Sequence, residues 1–246
     1  YIVRKGDADA ELDRCAAVVE EDYSTMHQEH AYIETEAALA VPLPNGGVTI
    51  YAACQSPFVN RGNLIKTLGL GEEDVRVIQP PVGGAFGGKD DLMYQTSGQV
   101  AKLALLTGRP VRMTFSREES MIASYKRNPM RVHIRLGADP RGTLVASTLD
   151  LLVDSGAYAA ITPFVAWRGT IHAMGPYRYR ACHVDTRVAY TNNGDTGAFR
   201  GFGANQAQFA MEGVLDRLAE KVGISGWEIR DRNVIMPGMD GFETCQ

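Results

Sequence analysis

The stretch from Gln79 to Asp90, QPPVGGAFGGKD, is the part of this sequence best suited to binding chemistry, with four glycines, two prolines, a lysine and an acid. Val75–Ile78 before it alternates like a strand, and Leu92–Leu106 after it has the spacing of an amphipathic helix. Paired glycines permit positive φ and let backbone N–H groups approach a ligand, and the helix N-terminus adds a partial positive charge. The pattern predicts a loop between a strand and a helix that suits an anionic or oxo-bearing ligand.

By itself this first loop is weak support for a ligand. No Ser or Thr follows Lys89, so the Walker pattern is not met, and the glycine spacing also differs from the dinucleotide pattern G-x-G-x-x-G. A tight connection between packed elements explains a single loop of this kind equally well. However, a second loop of similar composition, Thr196–Gln206, also precedes an apolar helical pattern, Gln208–Val222. Two such loops favour a bound ligand.

A polar segment nearer the N-terminus contains candidate metal ligands. His27 and His30 are three residues apart, and Glu34 follows four residues later. Imidazole and carboxylate groups can bind a metal ion together. We favour the alternative, a hydrogen-bonded structure leading into a strand, because polar groups in such segments are usually paired.

Gln55 is predicted to lie where a strand ends and a helix begins. Val48–Ala53 has the composition of a strand, and Pro57 suits the first turn of a helix over Phe58–Leu68. Ligands often bind at such junctions, although a loop amide that bonds to the backbone is the simpler explanation.

Three segments together resemble a known family. Gly83–Asp90, Gly197–Gln206 and His30–Glu36 (HAYIETE) are similar to the molybdopterin-binding subunit of the xanthine dehydrogenase and aldehyde oxidase family of molybdenum hydroxylases. The resemblance runs in matching order from about Glu20 to the C-terminus. That family binds molybdenum through the dithiolene of a pterin cofactor, so the protein need not supply metal ligands. The resemblance implies that residues 1–246 form the first molybdenum-cofactor-binding domain of a longer chain.

The resemblance also implies roles for individual residues. Gln55 would contact the metal only through an oxo ligand. The residues implied in cofactor binding are Gln55, Gly84, Ala85, Phe86, Gly87, Phe199, Arg200 and Gly201. Those implied in substrate binding are Asp90, Arg168 and Phe202.

Each substrate assignment has an alternative. Asp90 stands where the xanthine enzymes carry a glutamate, one methylene longer, so its reach to a purine ring is reduced. Arg168, beside Trp167, could be a surface cation on an aromatic ring. Phe202 could stack on a substrate ring or pack in the core.

The implied reaction is hydroxylation of a purine-like N-heterocycle (xanthine or hypoxanthine) or an aldehyde, with oxygen from water. Electrons would pass to iron–sulfur clusters and FAD on partner domains or subunits. The family's general base is a glutamate far toward the C-terminus, and no matching motif precedes Gln246. We therefore expect no catalytic residue in this chain, a second molybdenum-cofactor-binding domain as its partner, and no activity of the fragment alone.

Two other functions are considered. A non-catalytic relative could serve as an assembly or anion-binding domain, although intact glycine loops argue against such drift. Carbon monoxide dehydrogenase and aromatic-CoA reductases belong to the same broad class, but their second loops differ from the xanthine-like Ala198–Gly203.

The composition limits the partners and the location. The net charge of −4 and the pI near 5.8 give no reason to expect nucleic acid or an anionic membrane. No run of apolar residues is long enough to span a bilayer. The four cysteines are scattered without a C-x-x-C, so no zinc or iron–sulfur site is expected and a cytoplasmic location is favoured. The chain opens on Tyr1 without a methionine or a signal-peptide pattern, which suggests a piece of a longer polypeptide.

Two hairpins frame the remaining elements. Thr35–Val41 pairs with Val48–Ala53, and Met130–Leu136 pairs with Thr143–Val153 across a D-P-R-G turn. Ala10–Glu21 could be a short helix or a strand.

The order of strands and helices predicts an α+β fold, a two-layer α/β sandwich with mixed sheets. Two similar lobes, about 1–129 and 130–246, are possible.

Overall fold

A computed structural model of the chain describes residues 1–90 and 93–238. In this part the strands are β1 (Ile2–Lys5), β2 (Ala17–Thr25), β3 (Ala37–Pro42), β4 (Val48–Ala52), β5 (Val75–Ile78), β6 (Val111–Thr114), β7 (Lys126–Arg127), β8 (Met130–Ala138), β9 (Leu144–Asp154), β10 (Ala181–Ala189) and β11 (Thr196–Gly197). The helices are α1 (Ala8–Leu12), α2 (Pro57–Leu68), α3 (Met93–Thr107), α4 (Arg117–Ala123), α5 (Thr162–His172), α6 (Ala204–Val222) and α7 (Gly226–Asn233). The predicted α+β fold with mixed sheets is confirmed.

The chain forms two compact units, and neither is continuous in sequence. Unit 1 contains residues 1–27, 128–193 and the chain from 201 onward. Unit 2 contains residues 28–127 and 194–200. The two units therefore differ from the lobes 1–129 and 130–246. Unit 1 contains the early strands β1 and β2, and unit 2 contains a short segment from later in the chain, residues 194–200, which we call the return segment.

Unit 1 is built on a five-stranded sheet with the order β1-β10-β9-β8-β2. β10 and β9 are parallel, and the other pairs are antiparallel. The predicted hairpin of β8 and β9 is confirmed. The segment Ala10–Glu21, for which helix and strand were both considered, contains the end of α1 and the start of β2. Alternate residues are buried from Met130 to Leu136 in β8 and from Leu149 to Val153 in β9, as expected where one face of a sheet lies against a core.

Helix α6 covers the core side of this sheet. Its buried positions recur at helical spacing: Gln206, Ala207, Ala210, Met211, Val214, Leu215, Leu218 and Ala219. Gly223 ends the helix with φ of +83°, in the left-handed region that favours glycine. The predicted apolar stripe after the second loop thus packs against the sheet and forms part of the unit 1 core.

Unit 2 is built on a four-stranded sheet with the order β5-β4-β3-β6. β4 and β5 are parallel, and β3 is antiparallel to both of its neighbours. Helices α2 and α3 pack against this sheet around Ile50, Leu64 and Val100, which are fully buried. α2 starts at Pro57 and ends before Gly69, as predicted, and the predicted β3–β4 hairpin is confirmed.

Unit 2 also contains a two-stranded parallel pair of β7 and β11. This pair ties the return segment to the body of the unit, and that segment carries part of the second loop.

In the described ranges, none of the helices combines the length and the hydropathy needed to cross a membrane.

Candidate functional site

The first loop, residues 83–90, lies between β5 and α3 in a backbone conformation that requires glycine. Gly84 and Gly87 have φ of +106° and +103°. A Cβ at Gly87 would lie 2.6 Å from the Ala198 carbonyl oxygen, and one at Gly88 would lie 2.7 Å from the Tyr32 ring. Glycine is therefore needed at both positions for conformation or space.

Phe86, between these glycines, also has a positive φ, +52°, and its side chain is 48% exposed. A non-glycine residue in this region costs about 1 kcal/mol or more, and such strain is common at ligand sites. The loop thus presents a large apolar ring to the surface at some conformational cost.

Gln55 is held against the first loop from two sides. Its backbone N–H donates to the Lys89 carbonyl at 2.8 Å, and Gly87 N–H donates to Gln55 Oε1 at 2.8 Å. Because an N–H group can only donate, the side-chain atom facing Gly87 is the amide oxygen. The other end of the amide, Nε2, is therefore directed away from Gly87 as a donor on an exposed side chain.

A buried charge supports the loop from below. Lys89 is fully buried, and its Nζ lies 2.8 Å from Glu34 Oε2 and 4.8 Å from the centre of the Tyr32 ring. The same Glu34 oxygen accepts the Gly83 N–H at 2.6 Å. Desolvation acts to raise the pKa of the Glu34 carboxyl, but the bonds from Lys89 and Gly83 lower it below its ordinary value. Both ends of the first loop are thus fixed to one carboxylate.

The second loop is hydrogen-bonded to the first. Arg200 N–H donates to the Phe86 carbonyl at 2.8 Å. His30 Nε2 bonds to the Ala198 carbonyl at 2.7 Å, and the His30 ring stacks on Phe199 with centroids 4.4 Å apart. The first loop and residues 196–200 of the second loop therefore form one continuous structure in unit 2.

Arg127 completes the support of the second loop. Its guanidinium lies 4.0 Å from the centre of the Phe199 ring and donates to the Arg200 carbonyl at 3.0 Å. Burial lowers the pKa of this group. Sequence reasoning missed Arg127, and its only local signal is a charged Lys-Arg pair that precedes Asn-Pro and a strand.

The polar segment around His30 is hydrogen-bonded structure. Glu29 lies 2.7 Å from Lys126 Nζ and accepts from the Ser124 hydroxyl, and Tyr32 donates to Glu36. In the described part of the chain, no group of three or more His, Cys, Asp or Glu residues could hold a metal ion.

The remaining predicted residues belong to unit 1. Gly201, Phe202 and Gly203 have φ of +96°, +52° and +93° and lead into α6. A Cβ at Gly203 would overlap the Val165 carbonyl oxygen, so this turn packs directly on α5. Arg168, on the same part of α5, is exposed, and Phe202 is half-buried. Two predicted substrate residues of unit 1, Arg168 and Phe202, therefore belong to backbone segments that pack against each other.

The predicted residues thus fall into two groups. Those that unit 2 brings together are Gln55, Gly84, Ala85, Phe86, Gly87, Asp90, Phe199 and Arg200, with Asp90 half-buried at the end of the first loop. Those carried by unit 1 are Gly201, Phe202 and Arg168. Within this unit 2 group, the exposed Gln55 amide can donate a hydrogen bond from Nε2 to an oxo or anionic ligand.

Comparison with known proteins gives a consistent result. Residues 1–234 match the family described as the molybdopterin cofactor-binding domain. The chain is 41% identical over 232 residues to a probable xanthine dehydrogenase subunit of Bacillus subtilis (strain 168), covering 94% of this chain and 31% of that protein. It is also 41% identical over 233 residues to the nicotinate dehydrogenase large molybdopterin subunit of Eubacterium barkeri, covering 95% of this chain and 54% of that protein. The chain thus spans about a third of the first relative and about half of the second.

Solved structures give the same fold. The aldehyde oxidoreductase of Desulfovibrio gigas superposes with a TM-score of 0.91 at 29% identity, over 96% of this chain and 26% of that one. Quinoline 2-oxidoreductase of Pseudomonas putida 86 superposes with a TM-score of 0.90 at 27% identity, over 96% of this chain and 30% of that one.

Proposed function

Because the chain belongs to the molybdopterin cofactor-binding domain family, we propose that it supplies one part of the molybdenum site of a hydroxylase. In this proposal the whole protein oxidises an N-heteroaromatic compound with oxygen derived from water. The chain's own part is to hold the cofactor and to orient the substrate.

The observation that carries the proposal is the geometry of Gln55. Gly87 N–H fixes the amide oxygen at 2.8 Å, which leaves Nε2 as an outward donor beside a glycine-rich backbone. A carboxylate or a hydrophobic side chain could not combine these two roles, because the first lacks a donor and the second lacks both groups. This donor is suited to an oxo ligand of a metal.

The residues present fit a pterin-held molybdenum. The first loop leaves no space for a Cβ at Gly87, which allows the Gly87 N–H to approach Gln55 Oε1 and hold the amide in place. Gln55, Gly84–Gly87, Phe199, Arg200 and Gly201 would hold the cofactor through hydrogen bonds and contacts, without a direct protein ligand to the metal. When bound, the group supplies an acidified water and accepts two electrons.

An N-heteroaromatic substrate is favoured over an aldehyde. Asp90 and Arg168 stand where the resemblance implies polar contacts to a ring, and Phe202 would stack on that ring. The names of the two relatives at 41% identity refer to xanthine and nicotinate, both of which are nitrogen heterocycles. Oxidation of an aldehyde is the second candidate function, since an aldehyde oxidoreductase has the same fold.

The remaining parts of the enzyme are also proposals. We assign the general base and further pterin contacts to a second molybdenum-cofactor-binding domain, and the electron acceptors to iron–sulfur and FAD domains or subunits. The lengths of the two relatives, of which this chain covers 31% and 54%, leave room for such domains.

The test uses the full-length protein purified with its natural partners. We expect about one molybdenum per polypeptide by elemental analysis and pterin fluorescence after oxidation, as a single cofactor site requires. Turnover is then measured with xanthine, nicotinate, quinoline and an aromatic aldehyde. Absence of both metal and pterin would contradict the proposal and favour a non-catalytic assembly or anion-binding domain.

A further inference from the structure

We propose that His30 is a positioning residue that fixes the Gln55 amide through Ala198 and Gly87. The proposal rests on the proposed role of Gln55 as a donor to the cofactor. His30 itself is 7% exposed and lies against Gly88 of the first loop and Ala198 and Phe199 of the second, all in unit 2.

The first step is the protonation state of His30. Its Nε2 lies 2.7 Å from the Ala198 carbonyl, which can only accept, so Nε2 carries the proton. Nδ1 is then the lone-pair nitrogen, and it is buried without a hydrogen-bond partner among the described residues. Leaving such a nitrogen unpaired costs stability.

The second step links the Ala198 carbonyl to the first loop. The carbonyl oxygen that His30 holds is the atom against which Gly87 packs, since a Cβ on Gly87 would lie only 2.6 Å from it. Gly87 in turn donates its N–H to Gln55 Oε1. A shift of Ala198 therefore moves Gly87, and with it the group that orients the Gln55 amide.

The third step is the flat shape of the imidazole. The ring stacks on Phe199 with an interplanar angle of 28°, and a Cβ on Gly88 would lie 2.9 Å from His30 Nδ1. One ring thus contacts both loops, one through stacking and one through close backbone approach. The narrow space between Phe199 and Gly88 is thus filled by a flat ring.

The experiment separates the hydrogen bond from the ring. His30→Phe keeps a planar ring but removes the donor, and His30→Gln keeps a donor at a similar distance from the backbone. His27→Phe changes an exposed histidine three residues away and serves as the matched control. The fourth variant is Gln55→Ala, alone and combined with His30→Phe. All are made in the full-length protein, and thermal unfolding verifies that each one folds.

The first measurement is amide hydrogen exchange at Gly87, with the cofactor removed. In His30→Phe we expect about tenfold faster exchange, the effect of losing one buried hydrogen bond. His30→Gln should remain within about threefold of the wild type, and His27→Phe should be unchanged. In Gln55→Ala the acceptor is absent, so adding His30→Phe should cause no further increase.

The second measurement is made on the loaded protein. Its electron paramagnetic resonance signal after partial reduction should change in His30→Phe in the same direction as in Gln55→Ala. A purely structural role of His30 would lower stability without moving this signal.

Three results would overturn the proposal: unchanged Gly87 exchange in His30→Phe, equal acceleration in His30→Phe and His30→Gln, or additive effects of His30→Phe and Gln55→Ala. If His30→Phe does not fold, acceleration beyond threefold in His30→Gln overturns the proposal, and exchange within threefold supports it. The exchange measurement does not need the cofactor. A wild-type protein without molybdenum would therefore contradict the proposed function while the result for His30 stays readable.

Discussion

At the scale of single residues, the candidate site depends on the orientation of the Gln55 amide, whose oxygen faces the Gly87 N–H. The Gln55 side chain is exposed, so its contribution to folding is small, but its Nε2 is the donor proposed to face the cofactor. Stability and activity should therefore respond differently to its removal.

Replacing Gln55 with Ala tests this difference in the full-length enzyme. We expect kcat to fall about a hundredfold, as for the loss of one preorganised donor, while the unfolding temperature changes little. Gln95→Ala, at an exposed position on α3, is the control. An equal loss of activity in both variants would contradict the assignment.

His30 also makes stability depend on pH. Burial lowers the pKa of its imidazole below the ordinary value of 6.5. The unfolded chain therefore takes up a proton below about pH 6.5 that the folded chain does not, and the free energy of unfolding should fall as the pH drops from 7 to about 5. Denaturant unfolding at several pH values measures this.

The His30→Gln variant isolates the histidine, because glutamine does not titrate. We expect the difference in unfolding free energy between wild type and variant to change in this pH window. Glu34 contributes only at lower pH, since its carboxyl pKa is held below the ordinary 4.5 and its stabilisation is lost as the pH falls through that range. A difference independent of pH would show that His30 is not desolvated.

The buried Lys89 makes a further prediction. Glu34→Ala removes the carboxylate beside a fully buried ammonium group and should cost about 3 kcal/mol of unfolding free energy. Adding Lys89→Met should recover part of this loss, because no buried charge then lacks a partner. The exposed pair Arg217–Glu220 is the control, and Glu220→Ala should cost less than about 1 kcal/mol. A double variant less stable than Glu34→Ala would refute this account.

Local sequence predicted the two glycine loops, the position of Gln55 between a strand and a helix, and the hydrogen-bonded segment around His30, but not the contacts of Arg127. Glycine patterns are visible in sequence because they reflect backbone conformation. Arg127 was missed because its contacts, Phe199 and Arg200, lie far along the chain and no spacing rule relates them. The assignments of Asp90 and Arg168 to substrate stay predictions.

At the scale of elements, periodicity predicted the hairpins and α6 but not α4 or α5. Helix α5 buries small residues such as Ala166 and Gly169, while its bulky Phe164 and Trp167 are 63% and 45% exposed. An ordinary amphipathic helix buries its large apolar side chains, whereas α5 buries small residues and exposes large ones. Helix α4 has only seven residues, and the signal that could have found it is the capping box of Ser116 and Glu119.

Two helical glycines should respond oppositely to alanine. A Cβ at Gly62 on α2 meets nothing within 4 Å, so Gly62→Ala should stabilise the protein by up to about 1 kcal/mol. A Cβ at Gly213 on α6 would lie 2.8 Å from the Tyr23 ring, so Gly213→Ala should destabilise it by about 1 kcal/mol. Denaturant unfolding measures both, and the same sign in both would contradict the packing of α6 on β2.

At the scale of the whole molecule, the two units interrupt each other in sequence. The division at 129/130 could not be corrected from sequence, since it depends on β2 pairing with β8 and on a return segment of seven residues, 194–200. Such pairings are set by long-range packing rather than by local patterns.

Fragments test this organisation. Residues 130–246 alone lack both edge strands of the five-stranded sheet, β1 and β2, and we expect no cooperative unfolding. Residues 28–127 joined to 194–200 by a short flexible linker should fold, because Lys126 N–H bonds to the Asp195 carbonyl at 3.3 Å and about four residues can span this gap. Circular dichroism and NMR dispersion distinguish the outcomes. A cooperatively folded 130–246 fragment would contradict the unit boundaries.

The pairing of β1 with β10 has a consequence for biosynthesis. Ile2 lies opposite Asp185 in the sheet, so β1 has no partner strand until the residues of β10 have been synthesised and have left the ribosome. At ordinary translation rates this delay is about ten seconds or more. The four-stranded sheet of unit 2, complete at Thr114, can form much earlier. We expect nascent chains to acquire the unit 2 sheet first, and the waiting strands β1 and β2 to be the segments that chaperones bind during synthesis.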